Sequence, residues 1–181
     1  TDVLSGRGDD AAILRCGQGM QVITTDHLRA FSCDPALMAR ITAIHALGDI
    51  WAMGAAPQAA LAQVTLPAAS GKIGREMLAE IMASAAQIFH AAGADIVGGH
   101  STTGSELTIG FTVTGLVDRA ITKGSAQAGD ALILTKPLGS GAIMAAEMAM
   151  ARLDGMVFGQ VVAQAIAHMC RDQGAASAQL A

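Results

Sequence analysis

The chain reads as an α/β, or α+β, protein with a second domain just begun. Three observations predict this. Segments with strand alternation and segments with helical spacing follow one another in the order ββαβαββ, then βαα. Residues 107–113 alternate cleanly, with Leu107, Ile109, Phe111 and Val113 on one face and Thr108, Gly110 and Thr112 on the other. A turn-rich run from Asp118 to Gly129 then marks a boundary between a first domain, 1–117, and the first part of a second, 118–181.

Residues 9–16 and 20–26 read as strands joined by the turn Gly17-Gln18-Gly19. Asp34-Pro35 places a capping carboxylate before a proline at the first helical position. Leu37, Ile41, Ile44 and Trp51 continue that helix to Gly54. Residues 60–66 read as a strand ending at Pro67. Ser70 opens a helix with Ile73, Met77, Ile81, Ala85 and Ile88 on one face, and Gly93 ends it. Asp95-Ile96-Val97 is a short strand running into the loop Gly98-Gly99-His100-Ser101. In the second part, 131–135 reads as a strand, 137–141 as a strand-to-helix turn, and 142–152 and 158–172 as helices.

Composition narrows the function. Of 181 residues, 52% are apolar and 14% charged, which excludes a disordered chain. A net charge of −4 leaves no basic surplus for displacing phosphate counterions, so no nucleic acid is expected as partner. The mean hydropathy is positive. Yet no uninterrupted apolar run reaches the ~20 residues of a membrane span, and no signal peptide is visible at Thr1 to Leu4. Three cysteines without a CxxC pair suit a reducing compartment, so a cytoplasmic protein is expected. The start at Thr1 and the loose stretch 174–181 read as a piece of a longer chain.

Four groups of residues could carry chemistry. Gly6-Arg7-Gly8-Asp9-Asp10 sets adjacent carboxylates on a glycine-rich approach, which suits a hard divalent cation; a solvated acidic turn is the plainer alternative. Thr24-Thr25-Asp26 ends a strand where α/β clefts open, or forms a simple Asx turn. Asp49 lies in the apolar run Ala46 to Met53, where an unpaired carboxylate is costly, and His45 is one turn earlier. Gly98 to Thr103 offers backbone N–H groups and hydroxyls for a phosphate, or a capped Gly-Gly turn. The segment Lys136 to Gly141 reads as a tight turn before it reads as an anion contact. If the separated carboxylates converge, two unit charges about 4 Å apart cost about 4 kcal/mol at an effective dielectric of about 20. Such a site implies Mg²⁺, with a nucleotide bridged through metal rather than held by lysines.

The order and spacing of GDDAAIL (8–14), TTD (24–26), HALGDIWAMGAAP (45–57) and GGHS (98–101) resemble the selenophosphate synthetases, or selenide, water dikinases. These belong to the aminoimidazole ribonucleotide synthetase-like ATP-binding superfamily, with thiamine-monophosphate kinase and a hydrogenase-maturation protein. The resemblance covers about residues 6–152, and GGHS is its most discriminating part. It implies an N-terminal ATP-binding domain with a mixed sheet flanked by helices, and a reaction in which ATP, selenide and water give selenophosphate, AMP and phosphate. It implies Asp10 and Asp49 as Mg²⁺ ligands, Arg7, Gly8, Asp9, Asp26 and Asp49 as nucleotide contacts, and Gly99, His100 and Ser101 as a nucleotide-contacting loop reached across a homodimer interface. The apolar stripe with Phe111 is expected to lie in that interface. The reactive Cys or selenocysteine and a Lys are expected upstream of Thr1, so this piece alone is expected to be inactive. His45 and Gly48 stand where the family usually has Asn and Ser. A thiamine-monophosphate kinase, or a non-catalytic dimerisation module of the same fold, remains an alternative.

Overall fold

A computed structural model describes residues 2–5, 7–151 and 158–180. In chain order the elements are β1 (Val3–Ser5), β2 (Ala12–Cys16), β3 (Gly19–Arg29), α1 (Pro35–Ala52), β4 (Ala56–Pro67), α2 (Gly71–Ala91), β5 (Asp95–Gly104) and β6 (Thr108–Val117). A short 3-10 turn at Lys123–Ser125 follows, then α3 (Ser140–Met148), α4 (Phe158–Met169) and α5 (Gly174–Leu180). The six strands form one sheet in the order β1-β2-β3-β6-β4-β5. It is mixed because β4 and β5 pair in parallel, with α2 as the crossover, while the other neighbours are antiparallel.

One face of the sheet is covered. Val22, Ala60, Ala62, Val64, Ile109, Phe111 and Val113 point from the strands into a core shared with Leu47 and Ile50 of α1 and Ile81, Ala85 and Phe89 of α2. Phe111 and Phe89 meet edge to face with ring centroids 5.0 Å apart. The expected caps form: Asp34 accepts from the Leu37 N–H at 2.9 Å, and Ser70 from the Ile73 N–H. Helix α1 is buried on several sides, from Met38 to Ile50, because α2, the sheet and the C-terminal helices α4 and α5 all pack on it.

The other face is uncovered and carries a ladder of neutral side chains. Gln21 donates to Gln58 at 2.9 Å, Gln63 to Thr112 at 3.0 Å, Thr112 to Thr25 at 3.1 Å and Thr114 to Gln58 at 3.2 Å. Leu61 and Leu116 are exposed beside them.

Several expectations need correction. Phe111, Ile109 and Val113 lie in the monomer core on a central strand, not in a contact between subunits. The alternation is right, but its apolar face turns towards α1 and α2. GGHS is not a loop: β5 runs through it to Gly104, because the parallel pairing with β4 continues to Pro67. Strand β4 begins at Ala56 rather than at residue 60, and β1 had no sequence signal. Residues 131–135 form no strand. Leu132, Ile133 and Leu134 stay exposed, since no neighbouring strand among the described residues pairs with them. Residues 174–180, expected to be loose, form α5, where Ser177 donates to the Trp51 carbonyl and ties the segment to α1. The helical boundary expected at residue 152 falls outside the described residues.

Candidate functional site

Strand alternation turns Thr24 and Asp26 of β3 inward, on the same face as Val22, towards the C-terminal half of α1. On α1, His45 and Asp49 are one turn apart and face them. The Thr24 hydroxyl donates to Asp49 Oδ2 at 2.6 Å. The His45 Nε2 lies 3.7 Å from Asp26 Oδ2. That Asp26 oxygen is buried and accepts no hydrogen bond from the described residues. Asp10, in the bend before β2, completes the group.

The electrostatics follow from this crowding. Asp49 is held above the ordinary carboxylate range, chiefly by burial and further by the charges of Asp26 and Asp10; the Thr24 hydrogen bond and His45 oppose the shift. The charges of Asp10 and Asp26 thus both reach Asp49. A lysine also reaches them. Lys123 Nζ lies 2.7 Å from Asp10 Oδ1, and the Lys123 backbone N–H donates to Asp9 Oδ1 at 2.7 Å. The ammonium is pushed above its ordinary value, mainly by the hydrogen bond to Asp10, with Asp9 and Asp49 adding their charges. Arg7 and Asp9 form an isolated bridge around Gly8, whose φ of +118° favours glycine.

Among the described residues, no three His, Cys, Asp or Glu side chains stand ready to hold one metal ion. The donor set still fits Mg²⁺, which is commonly held by one or two carboxylates together with substrate phosphates and water. The buried, unbonded Asp26 oxygen and the raised Asp49 mark a place where added positive charge relieves repulsion.

Gly99, His100 and Ser101 are not part of this cluster within one chain. Gly99 is level with Ala62, Phe111 and Asp26 on successive strands, so it lies three strands, or about 14 Å, from Asp26. All three residues are exposed on the edge strand β5. Gly99 has a packing reason of its own: φ is +152°, and a Cβ there would sit 2.1 Å from the Ala62 carbonyl oxygen.

A cleft of about 710 Å³ opens beside the carboxylates. Its near wall carries His45 and Asp49, and its far wall carries Lys136 to Gly141, Met144 and His168. Burial pushes Lys136 below its ordinary value, and the charge of Arg171 adds to this. Sequence reasoning gave Lys123 no role and Thr24 none beyond its motif. Lys123 sits in a turn-rich run without a motif, and only the fold brings it back over Asp9 and Asp10.

The mixed six-stranded sheet, covered by helices on one face and carrying an acidic cluster where α1 crosses β3, is the α/β architecture of the aminoimidazole ribonucleotide synthetase type. A family model described as "AIR synthase related protein, N-terminal domain" matches residues 8–117, and the chain belongs to that family. Curated relatives are named selenide, water dikinase. The one from Geobacter metallireducens is 40% identical over 141 residues, and the one from Aeromonas salmonicida 38% over 142. These alignments cover 76–77% of this chain but only 40–41% of the relatives' length. Among solved structures, thiamine monophosphate kinase from Aquifex aeolicus superposes with a TM-score of 0.76 at 16% identity, over 97% of this chain and 60% of that one. The Stenotrophomonas maltophilia K279a thiamine-monophosphate kinase gives 0.73 at 23% identity, over 99% and 59%. At these identities they establish the shared fold. No described helix is long and apolar enough to cross a membrane.

Proposed function

We propose that the chain is the Mg²⁺–ATP-binding part of a selenide, water dikinase, which as a whole protein makes selenophosphate from ATP, selenide and water, releasing AMP and phosphate. The observation that carries this is the convergence of Asp10, Asp26 and Asp49 in a chain about 40% identical to proteins of that name. Asp10 and Asp49 hold Mg²⁺, and Asp49, Asp26, Asp9, Gly8 and Arg7 contact the nucleotide. The metal supplies charge neutralisation for the phosphates. Thr24 orients the Asp49 carboxylate, and the His45 ring stands beside Asp26, with Nε2 3.7 Å from Oδ2. Residues 1–117 form the ATP-binding and dimerisation domain, and 118–181 begin the second domain of a cytoplasmic protein.

Gly99, His100 and Ser101 are too far from the cluster to serve it within one chain. We assign them to the nucleotide site of a second copy, in a homodimer built on the uncovered sheet face. Calorimetry tests the core of this reading. ATP should bind with Mg²⁺ and at least about tenfold more weakly with chelator or in Asp49→Asn, since loss of supporting groups alone costs that much at metal sites. Equal affinity under all three conditions refutes it. Selenide-dependent AMP release by the whole protein, rather than phosphorylation of thiamine monophosphate, separates this reading from the kinase of the same fold.

A further inference from the structure

We propose that Lys123 is a resident counter-cation of the acidic cluster: its ammonium sits on the Asp10 oxygen that a divalent cation uses, and the incoming ion displaces it. This rests on the reading of Asp10 as a metal ligand. Three features of the structure carry it. The Lys123 Nζ lies 2.7 Å from Asp10 Oδ1, a charge-assisted hydrogen bond. A divalent ion bound at about 2.0–2.1 Å from the same carboxylate repels an ammonium there, so the two compete.

Second, the backbone around Lys123 is fixed independently of its side chain. The Lys123 N–H donates to Asp9 Oδ1 at 2.7 Å, and the Ile121 N–H donates to the Met53 carbonyl at 3.0 Å. The ammonium can therefore leave Asp10 by rotation about its flexible stem while the strap after β6 stays in place. Third, the exchange is sterically open. The Lys123 side chain is 58% exposed while that of Asp10 is 28% exposed, so the cation leaves into water and the carboxylate stays sheltered.

Lys123 thus meets both adjacent carboxylates, Asp10 through its ammonium and Asp9 through its backbone N–H. Displacement makes nucleotide-free metal affinity weaker than the carboxylates alone would give. An exposed ion pair is a modest competitor, so the penalty is about two- to fivefold.

The test uses this chain without nucleotide and Mn²⁺ as the probe, read by electron paramagnetic resonance, with circular dichroism to verify folding. Lys123→Met should bind Mn²⁺ about two- to fivefold more tightly than the unmodified chain, while Lys123→Arg stays within about twofold of it. In parallel, the Lys123 side-chain ammonium signal in NMR, perturbed by Asp10, should move with Mg²⁺ at the same midpoint as metal binding. Equal or weaker Mn²⁺ binding by Lys123→Met, or a Lys123 signal that ignores Mg²⁺, overturns the proposal and leaves the metal site standing. Absence of Mn²⁺ binding in the unmodified chain and in both variants also overturns the proposal, because the carboxylates then hold no divalent ion for the ammonium to exchange with unless nucleotide is bound.

Discussion

Asp49 concentrates the chemistry of the site in one side chain. Its carboxylate is half-buried and feels two other carboxylates, so folding raises its pKa, while the Thr24 hydroxyl that it accepts opposes the shift. A raised carboxyl pKa means that the folded state binds the proton more tightly than the unfolded chain does. The corresponding stability is fully present below the ordinary carboxylate range and is lost as pH rises through the raised value. At neutral pH ionised Asp49 is therefore a burden on the metal-free fold. Asp49→Asn should raise the melting temperature by roughly 1–3 °C at pH 7, a small gain because solvent still screens the group. The difference should close as pH falls below the ordinary carboxylate range. Melting curves across pH check this, and a variant less stable than the unmodified chain at pH 7 contradicts the account.

At the scale of elements, the pairing of β4 with β5 decides what GGHS means. Gly98 and Gly99 look like a ligand-cradling turn, and in the sheet they are strand residues. Gly99 is required because its partner on β4, Ala62, approaches its backbone too closely for a Cβ. Gly99→Ala should cost at least about 1–3 kcal/mol through backbone strain, before the clash with Ala62 is added. Urea unfolding without nucleotide measures this. Unchanged stability with lost ATP binding would show a ligand role instead of a packing one. The strand β6 teaches the converse. Its alternation between Ile109, Phe111 and Val113 is legible, but alternation says only that two faces differ. It does not say whether the apolar face meets a helix of the same chain or another subunit. Contact with Phe89 settles that for Phe111.

At the scale of the molecule, the uncovered face of the sheet is the surface on which the proposed second copy would dock. The ladder of Gln21, Gln58, Gln63, Thr25, Thr112 and Thr114 is polar but uncharged, and Leu61 and Leu116 lie exposed beside it. Such a face resists desolvation less than a charged one and keeps its polar atoms paired when covered. A second copy meeting it face to face should bury on the order of 2,000 Å² or more. Sedimentation should find a dimer at tens of micromolar, and Thr112→Lys, which leaves the core untouched, should yield monomer. A monomeric unmodified chain, or a dimeric variant, contradicts this.

The sequence by itself determined the elements with strong local signals: the capped helices α1 and α2, the strands β3 and β6, and the candidate residues Asp9, Asp10, Asp26 and Asp49. Capping, periodicity and the cost of a charge in an apolar run are local, so they can be read along the chain. The tertiary structure alone decided three things. It turned the Phe111 stripe inward, carried GGHS into an edge strand, and brought Lys123 onto Asp10 across 113 positions of sequence. Each depends on which surfaces meet after the sheet has formed. A lysine in a turn-rich run carries no mark of the carboxylate it will find, because that partner is chosen by strand order and not by its neighbours in the chain.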